Sequence, residues 1–337
     1  MIELENNLLT FRFPKIHPDA VCAIHFQRTL RLPDDNRTYP LPPGLGCFPL
    51  THVDDLGERL PESWNQHGGV FFPMFQSEAM WICFNADYPF AVKVAAGKIN
   101  AVTGDAWSND IHTDPQDYLV IPEQPWLDGF AISKGKIRQF VAMPLGQGYT
   151  AEEQITGKAE HGGVQIIAYP MKKEIYEKLL AERRESRSAG LFGFIGGLEG
   201  ATHYSGAPMF EDMGLAPGGV MRQEIFEDLY GIDCWERSIF SRCYVHIVNS
   251  EDYTKLTGRI PPTKPPTAKD YTEAGLPWFE YYADNLHALP GSQTLSQLDS
   301  VGAKGIKKGE VPYPENEPVS PGHVVKLGTH KVREGEF

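Results

Sequence analysis

Glycine and proline together account for 60 of the 337 residues, with 33 Gly and 27 Pro. That share is about 18%, against about 12% in an average protein. Glycine supplies the positive φ angles of tight turns, and proline interrupts helices and central strands. The sequence therefore predicts an α+β fold, predominantly antiparallel β-sheet, with a few short helices and many Gly/Pro turns.

Two β-rich stretches predict hairpins. Residues 91–94 and 99–102 flank Ala96-Gly97-Lys98, and residues 130–132 and 137–141 flank a turn that contains Gly135. A glycine between two such runs lets the chain reverse at little steric cost. Residues 242–249 predict a further strand, so most pairing is expected to be local and antiparallel.

Helices are expected at only a few places. The run from 172 to 187 has no glycine, is strongly charged, and carries Ile175 and Leu179 at helical spacing. Thr150 with Glu153 and Thr267 with Asp270 have the spacing of capping boxes, which predicts short helices there. The Gly-x-Gly before Thr150 resembles a phosphate-binding turn, but the helix after it is too short for a parallel crossover, which favours an ordinary tight turn.

The chain divides into four predicted regions. Residues 1–187 form a β-rich N-terminal region, residues 206–300 an α+β C-terminal region, and residues 301–337 an extended tail. Between them, residues 188–205 form a glycine-rich apolar loop that could dock on its own chain or on a partner subunit. The candidate interaction residues in this loop are Leu191, Phe192, Phe194 and Ile195.

Charge and cysteine usage limit the partners and the compartment. The formal net charge is −13, without a basic stripe, which disfavours nucleic acids and anionic membranes. The N-terminus is acidic, and no apolar stretch reaches the length of a membrane-spanning helix. Five cysteines without C-x-x-C spacing suit a reducing compartment. A cytoplasmic protein is the expectation.

A short segment occurs twice. His67-Gly68-Gly69-Val70 and His161-Gly162-Gly163-Val164 each open an apolar run. The recurrence indicates either a duplicated β unit or a chance repeat in a glycine-rich chain. Backbone N–H groups of such segments can serve an oxyanion, but the chain has no G-x-S-x-G nucleophile motif, so the glycines are better explained by turns into strands.

Two sets of residues could bind metal. Cys22, His25, Cys243 and His246 are the ligand types of a zinc site, but residues three apart in a strand point to opposite faces, so burial in strands is favoured. Asp110, His112 and Asp114, with Asp117 nearby, could bind a divalent metal, with His67 or His161 completing the site. The same residues are typical of a solvated loop, which is the favoured interpretation.

Aromatic rings beside carboxylates suggest a ligand site. Trp126 and Asp128 lie close in sequence, and Trp278 precedes a Phe-Glu-Tyr-Tyr run. Stacking rings next to carboxylates can bind a sugar, although large aromatic side chains mostly fill cores. We therefore keep a glycan or other small molecule as a candidate ligand.

Four segments are distinctive together. They are residues 40–46 (PLPPGLG), 124–130 (QPWLDGF), 137–157 (IRQFVAMPLGQGYTAEEQITG) and 275–282 (GLPWFEYY). They resemble a group of uncharacterised bacterial and fungal hypothetical proteins, over most of the chain. The resemblance implies a single coherent, intracellular protein, and it implies no activity, cofactor or catalytic residue.

No segment pairs a nucleophile with a base, and the polar side chains are expected to be spread through strands and turns rather than to meet at one point. The sequence thus favours a non-catalytic, self-associating scaffold or binding protein without a cofactor, a homo-oligomer formed through the apolar loop. The alternatives are a metal-dependent hydrolase that uses the Asp110, His112 and Asp114 cluster, and a carbohydrate-binding protein.

Overall fold

A computed structural model of the chain describes residues 1–186, 212–281, 286–311 and 316–327. In these ranges the strands are β1 (Ile2–Glu5), β2 (Leu8–Arg12), β3 (Val21–Thr29), β4 (Thr38–Tyr39), β5 (Gly44–Cys47), β6 (Thr51–His52), β7 (Val70–Met74), β8 (Ala79–Asn85), β9 (Phe90–Ala96), β10 (Ile99–Asn100), β11 (Leu119–Ile121), β12 (Trp126–Leu127), β13 (Gly129–Ser133), β14 (Lys136–Pro144), β15 (Val164–Pro170), β16 (Asp212–Arg222), β17 (Ser241–Asn249), β18 (Trp278–Tyr281) and β19 (Val324–Leu327).

The helices in the same ranges are short. They are α1 (Glu62–His67), α2 (Ala151–Thr156), α3 (Lys173–Ser186), α4 (Ser250–Thr257), α5 (Ala268–Glu273), α6 (Gln293–Ser296) and α7 (Val301–Lys308). Two 3-10 turns occur at Gly57–Arg59 and Ile232–Cys234. The predicted α+β class with a dominant antiparallel sheet is confirmed.

Strands β1 to β17 belong to one hydrogen-bonded sheet of 17 strands. A continuous ladder runs β1–β2–β3–β8–β14–β16–β17–β15–β9–β11, and every pairing along it is antiparallel. Pairing is parallel between β7 and β17, between β4 and β16, and in the small separate sheet of β18 and β19. The predicted hairpins are confirmed as β9–β10 and β13–β14.

Strand β17 connects the two predicted main regions. It pairs with β7 on one side and with β15 and β16 on the other. The largest hydrophobic cluster likewise combines residues from both regions, from Leu9 to Leu298. The glycine-rich loop between the regions, with Leu191, Phe192, Phe194 and Ile195, lies outside the described residues.

Local helix signals are confirmed. Helix α3 occupies the charged run at 172–187, and both Thr150 and Thr267 form complete capping boxes. The segment expected to be extended from residue 301 begins instead with helix α7. Ser300 caps this helix by accepting a hydrogen bond from Ala303 N, and Val301 is buried, so the helix is held by both a cap and core packing.

Helix α3, the longest described helix, is strongly charged. Over the described ranges, no helix combines the length and apolar character that crossing a bilayer requires.

Candidate functional site

Both His-Gly-Gly segments lead into strands that pair with β17. Val70 of β7 pairs with Val245 from one side in parallel, and Val164 of β15 pairs with the same Val245 from the other side in antiparallel register. His67 and His161 therefore reach the same place on the sheet, with ring centroids 6.4 Å apart. The repeated segment thus marks two turns that meet across one strand.

Glycine is needed in both turns because the backbone passes very close to β17. Gly69 has φ +89°, and a Cβ atom there would lie 2.0 Å from the carbonyl oxygen of Tyr244. Gly163 has φ +52°, and its Cβ would lie 2.4 Å from the carbonyl oxygen of Val245. A side chain at either position would push the turn away from β17.

A cluster of stacked aromatic rings lies over this junction. On one face of β17, Tyr244 and His246 stack at 4.3 Å between centroids. His67 stacks on Tyr244 at 4.4 Å, and Trp64 stacks on His246 at 4.3 Å. We call the depression around His67, His161, Tyr244 and His246 the histidine cleft. Three imidazoles converge here, which corrects the expectation that the polar side chains are scattered.

His246 forms the buried end of the cleft. Its Nε2 lies 3.1 Å from the carbonyl oxygen of Gly68, which can only accept, so Nε2 carries the proton and donates. The residue is 1% exposed, and this burial lowers the pKa of His246 to about 3. The imidazole is neutral at physiological pH and holds the first His-Gly-Gly turn against β17.

Glu152 of α2 holds the second turn. It is 2% exposed, and its carboxylate accepts backbone hydrogen bonds from Glu160, His161 and Gly162 at 2.9, 2.8 and 2.8 Å. The Tyr244 hydroxyl donates to the carbonyl oxygen of His161 at 2.5 Å. Both groups are therefore engaged with the backbone, and their role is to position His161.

The cleft opens into a cavity of about 480 Å³. Its lining residues are Gln66, His67, Lys98, Trp107, Asn109, Gln165, Ile166, Arg242, Cys243 and Tyr244. These ten described residues include two cations, Lys98 and Arg242, and no Asp or Glu. The cavity lining is thus locally positive in a chain whose formal net charge is −13.

The two outer imidazoles are tuned toward the neutral form. Burial lowers the pKa of His67, and the ammonium of Lys98 lowers it further. The pKa of His161 is lowered by the same two causes in the same order, against an opposing contribution from Glu152. His161 Nδ1 is buried and has no hydrogen-bond partner among the described residues. The cleft thus presents imidazoles that favour the neutral form beside two cations, while the Glu160 carboxylate, outside the cavity lining, lies 4.0 Å from His161 Nε2.

Part of the cavity lining comes from the loop after β10, which carries Trp107 and Asn109. Trp107 donates its indole N–H to Asn109 Oδ1 at 3.1 Å. Lys93 is 1% exposed, lies 5.9 Å from the Trp107 ring centroid, and forms an ion pair with Asp117 at 2.7 Å. This buried pair fixes the loop to strand β9.

The predicted metal residues belong to this same loop. His112 Nδ1 lies 2.9 Å from Asp117 Oδ2, and the carbonyl oxygen of Asp110 accepts a hydrogen bond from Lys93. Asp114 is exposed and lines a different cavity, next to Pro115. Within the described ranges, no three His, Cys, Asp or Glu residues are arranged to hold a metal ion. A divalent metal at Asp110, His112 and Asp114 stays a prediction without structural support.

The other candidate ligands are separated. Cys22 and Cys243 are buried in β3 and β17, two strands that do not pair with each other, as expected of strand residues. Trp126 and Asp128 line a second cavity, whereas Trp278 is fully buried and donates its indole N–H to Thr272 Oγ1 at 3.2 Å.

Sequence reasoning did not assign several residues to the histidine cleft, and it named His246 only as a candidate zinc ligand. Arg242, Tyr244 and His246 alternate along a strand that was predicted, so their common face could have been read from the spacing. Lys98 belongs to a predicted hairpin turn, and Glu152 to a predicted helix. Their meeting depends on pairings between distant strands, for which the sequence alone has no local signal.

No family model matches the sequence, and comparisons with curated proteins and with solved structures find no match either. The resemblance to bacterial and fungal hypothetical proteins therefore stays a prediction.

Proposed function

We propose that the chain is a binding protein whose ligand site is the histidine cleft, and that the ligand is a small anion with a planar ring. One observation carries this proposal: the cavity lining combines Lys98 and Arg242 with no carboxylate. An anion placed there meets Lys98, which is half-buried, and Arg242, which is exposed. Its attraction to Lys98 is therefore less screened by water than its attraction to Arg242.

The aromatic side chains that line the cavity support a ligand with a planar ring. Tyr244 and His67 present a stacked pair of rings, and the ring of Trp107 also lines the cavity. A flat ring can stack on such surfaces, and the NH₂ group of the exposed Asn109 can donate at its edge. The Gln165 amide is already engaged, because its Oε1 accepts from Lys98 N and its Nε2 donates to the carbonyl oxygen of Gly162. The cavity, about 480 Å³, has the size of small-molecule sites.

The experiment is a thermal-shift panel with matched probes. Adenosine monophosphate and salicylate supply a ring and a negative charge, adenosine and benzamide supply the ring alone, and inorganic phosphate supplies the charge alone. We expect at least one ringed anion to raise Tm more than its uncharged partner and more than phosphate. Equal shifts across the panel, or none, would refute the proposal.

Self-association through Leu191, Phe192, Phe194 and Ile195 is a separate proposal, supported by the apolar, glycine-rich sequence of that loop. Light scattering at micromolar concentration tests it, and a monomeric mass would remove it. A cytoplasmic location is likewise proposed, supported by five cysteines that are all unpaired.

A further inference from the structure

A second cavity lies on the sheet away from the histidine cleft. It measures about 260 Å³ and is lined mainly by apolar and aromatic groups, namely Leu41, Pro42, Pro43, Gly44, Trp81, Cys83, Trp126, Asp128, Phe279 and Leu327. We call it the aromatic pocket. None of these described lining residues also lines the histidine cleft.

Strand alternation puts the key side chains on one face. Trp81 and Cys83 are two residues apart in β8, and Trp126 of β12 pairs with Cys83 across the ladder. Asp128 follows Trp126 by two residues, so it belongs to the same face. Phe279 of β18 covers the face from outside, where it forms a β-bridge with Leu41.

Asp128 is the only charged residue among the described lining residues, and it is 1% exposed. Its backbone is fully used, because its N–H donates to Gln223 Oε1 at 3.0 Å and its carbonyl accepts from Phe140 N at 2.9 Å. The side-chain atom Oδ2 is buried without a hydrogen-bond partner in the described part of the chain. An unpaired buried carboxylate oxygen is costly unless something supplies a donor.

We propose that the aromatic pocket binds a small organic amine in its ammonium form, with an N–H donating to Asp128 Oδ2 and an apolar body against Trp81, Trp126 and Phe279. Ammonium charge complements the carboxylate, and the faces of tryptophan rings attract cations. The pocket is smaller than typical drug-sized sites, so the amine is of fragment size.

The same lining argues against the other ligand classes. A sugar needs several polar partners for its hydroxyls, whereas this lining supplies one carboxyl among mostly apolar groups. An anion would face the Asp128 carboxylate. Burial raises the pKa of Asp128 to about 7, with a hydrogen bond from Trp126 acting in the opposite direction. Amine binding is therefore expected to strengthen as the pH rises through neutrality, when the carboxylate form becomes dominant.

The test uses three probes that share one body: phenethylamine, phenylethanol and phenylacetate. Calorimetric titration of the full chain is expected to show phenethylamine binding most tightly and phenylacetate not binding. In Asp128→Asn, phenethylamine is expected to lose about tenfold to hundredfold in affinity, the usual worth of a charged hydrogen bond. The variant should also bind phenethylamine no more tightly than phenylethanol. Asp87→Asn removes an exposed carboxylate elsewhere and should leave binding unchanged.

Two further measurements keep the inference testable if Asp128→Asn does not fold. Trp81→Leu should weaken phenethylamine binding by removing a wall of the pocket. The affinity of the unaltered chain for phenethylamine should rise between pH 6 and pH 8, around the raised pKa of Asp128, which is about 7. Equal binding of all three probes, no binding of phenethylamine, or a pH-independent affinity would overturn the proposal.

Discussion

The histidine cleft and the aromatic pocket differ most clearly in the hydrogen-bond partners of the buried carboxylate beside each. Glu152, behind the cleft, receives three backbone hydrogen bonds from the second His-Gly-Gly turn. Asp128, in the pocket, keeps one oxygen without a partner among the described residues. Both residues are almost completely buried. Burial alone therefore does not identify a carboxylate that binds a ligand. The distinguishing feature is whether the chain itself supplies hydrogen-bond donors to both carboxylate oxygens.

The two sites also differ in charge. The cleft places cations around neutral imidazoles, and the pocket places a single carboxyl among aromatic rings. Strands of the same large sheet contribute to both sites. Alternation along each strand decides which of its side chains face a cavity. We infer opposite ligand charges for the two sites.

Gly69→Ala should have the largest effect. The added Cβ would lie 2.0 Å from the Tyr244 carbonyl oxygen at φ +89°, so the turn of the cleft must move. We expect a loss of about 3 kcal/mol or more in the free energy of unfolding, measured by chemical denaturation. Gly157→Ala is the matched control, because Gly157 also has positive φ but no neighbouring atom within 4 Å. That control should cost about 1 kcal/mol; equal losses would contradict the close approach to β17.

Glu152→Gln tests the fully paired carboxylate. The substitution replaces one accepting oxygen by an NH₂ group that faces backbone donors, so we expect a loss of about 2–3 kcal/mol in the free energy of unfolding. Glu160→Gln, a change at a partly exposed side chain in the same turn, should cost less than about 0.5 kcal/mol. A loss in Glu152→Gln as small as that control would show that Glu152 does not hold the turn.

Asp128→Asn tests the unpaired carboxylate through its pH dependence. Burial raises the pKa of Asp128 from 3.8 to about 7, so the folded chain keeps a proton that the unfolded chain releases between these values. The contribution of Asp128 to stability is therefore present at low pH and is lost as the pH rises through 7. The variant should gain stability relative to the unaltered chain from pH 4 to pH 7, by denaturation at each pH. A pH-independent difference would contradict the raised pKa.

Lys98→Gln should have the smallest effect, on titration rather than on folding. The Lys98 ammonium contributes to lowering the pKa of both His67 and His161, after burial. Removing it should raise both pKa values, observed as shifts of the imidazole proton resonances in an NMR titration. Lys134→Gln, the control, changes an exposed lysine of the β13–β14 turn and should leave the pKa values of both histidines unchanged. Unchanged titration in Lys98→Gln would place the ammonium away from the imidazoles.

The fold could be predicted where its signals are local. The hairpin turn at Gly97, the capping boxes at Thr150 and Thr267, and the charged helix after residue 172 each depend on residues a few positions apart. Their outcome is fixed by turn geometry, capping and helical periodicity, which sequence spacing reports directly. The helix α7 was missed because its burial depends on contacts with Tyr149 and its neighbours, far away in sequence.

The candidate site could be predicted only in part. The repeated His-Gly-Gly segment was visible, but its meaning required knowing that β7 and β15 pair with opposite sides of β17. The ring beside a carboxylate at Trp126 and Asp128 was also visible, whereas the closure of that pocket by Phe279 comes from a separate small sheet. Pairings between strands so distant in sequence cannot be read from residue spacing.

The proposed ligand of the histidine cleft is a small ringed anion held through Lys98 and Arg242. Its most direct test is calorimetric titration of adenosine monophosphate and salicylate into the unaltered chain and into the Lys98→Gln/Arg242→Gln double variant. We expect measurable binding of at least one probe by the unaltered chain and a loss of about tenfold or more in the double variant. Absence of binding of both probes, or equal affinity in the two proteins, would contradict the claim.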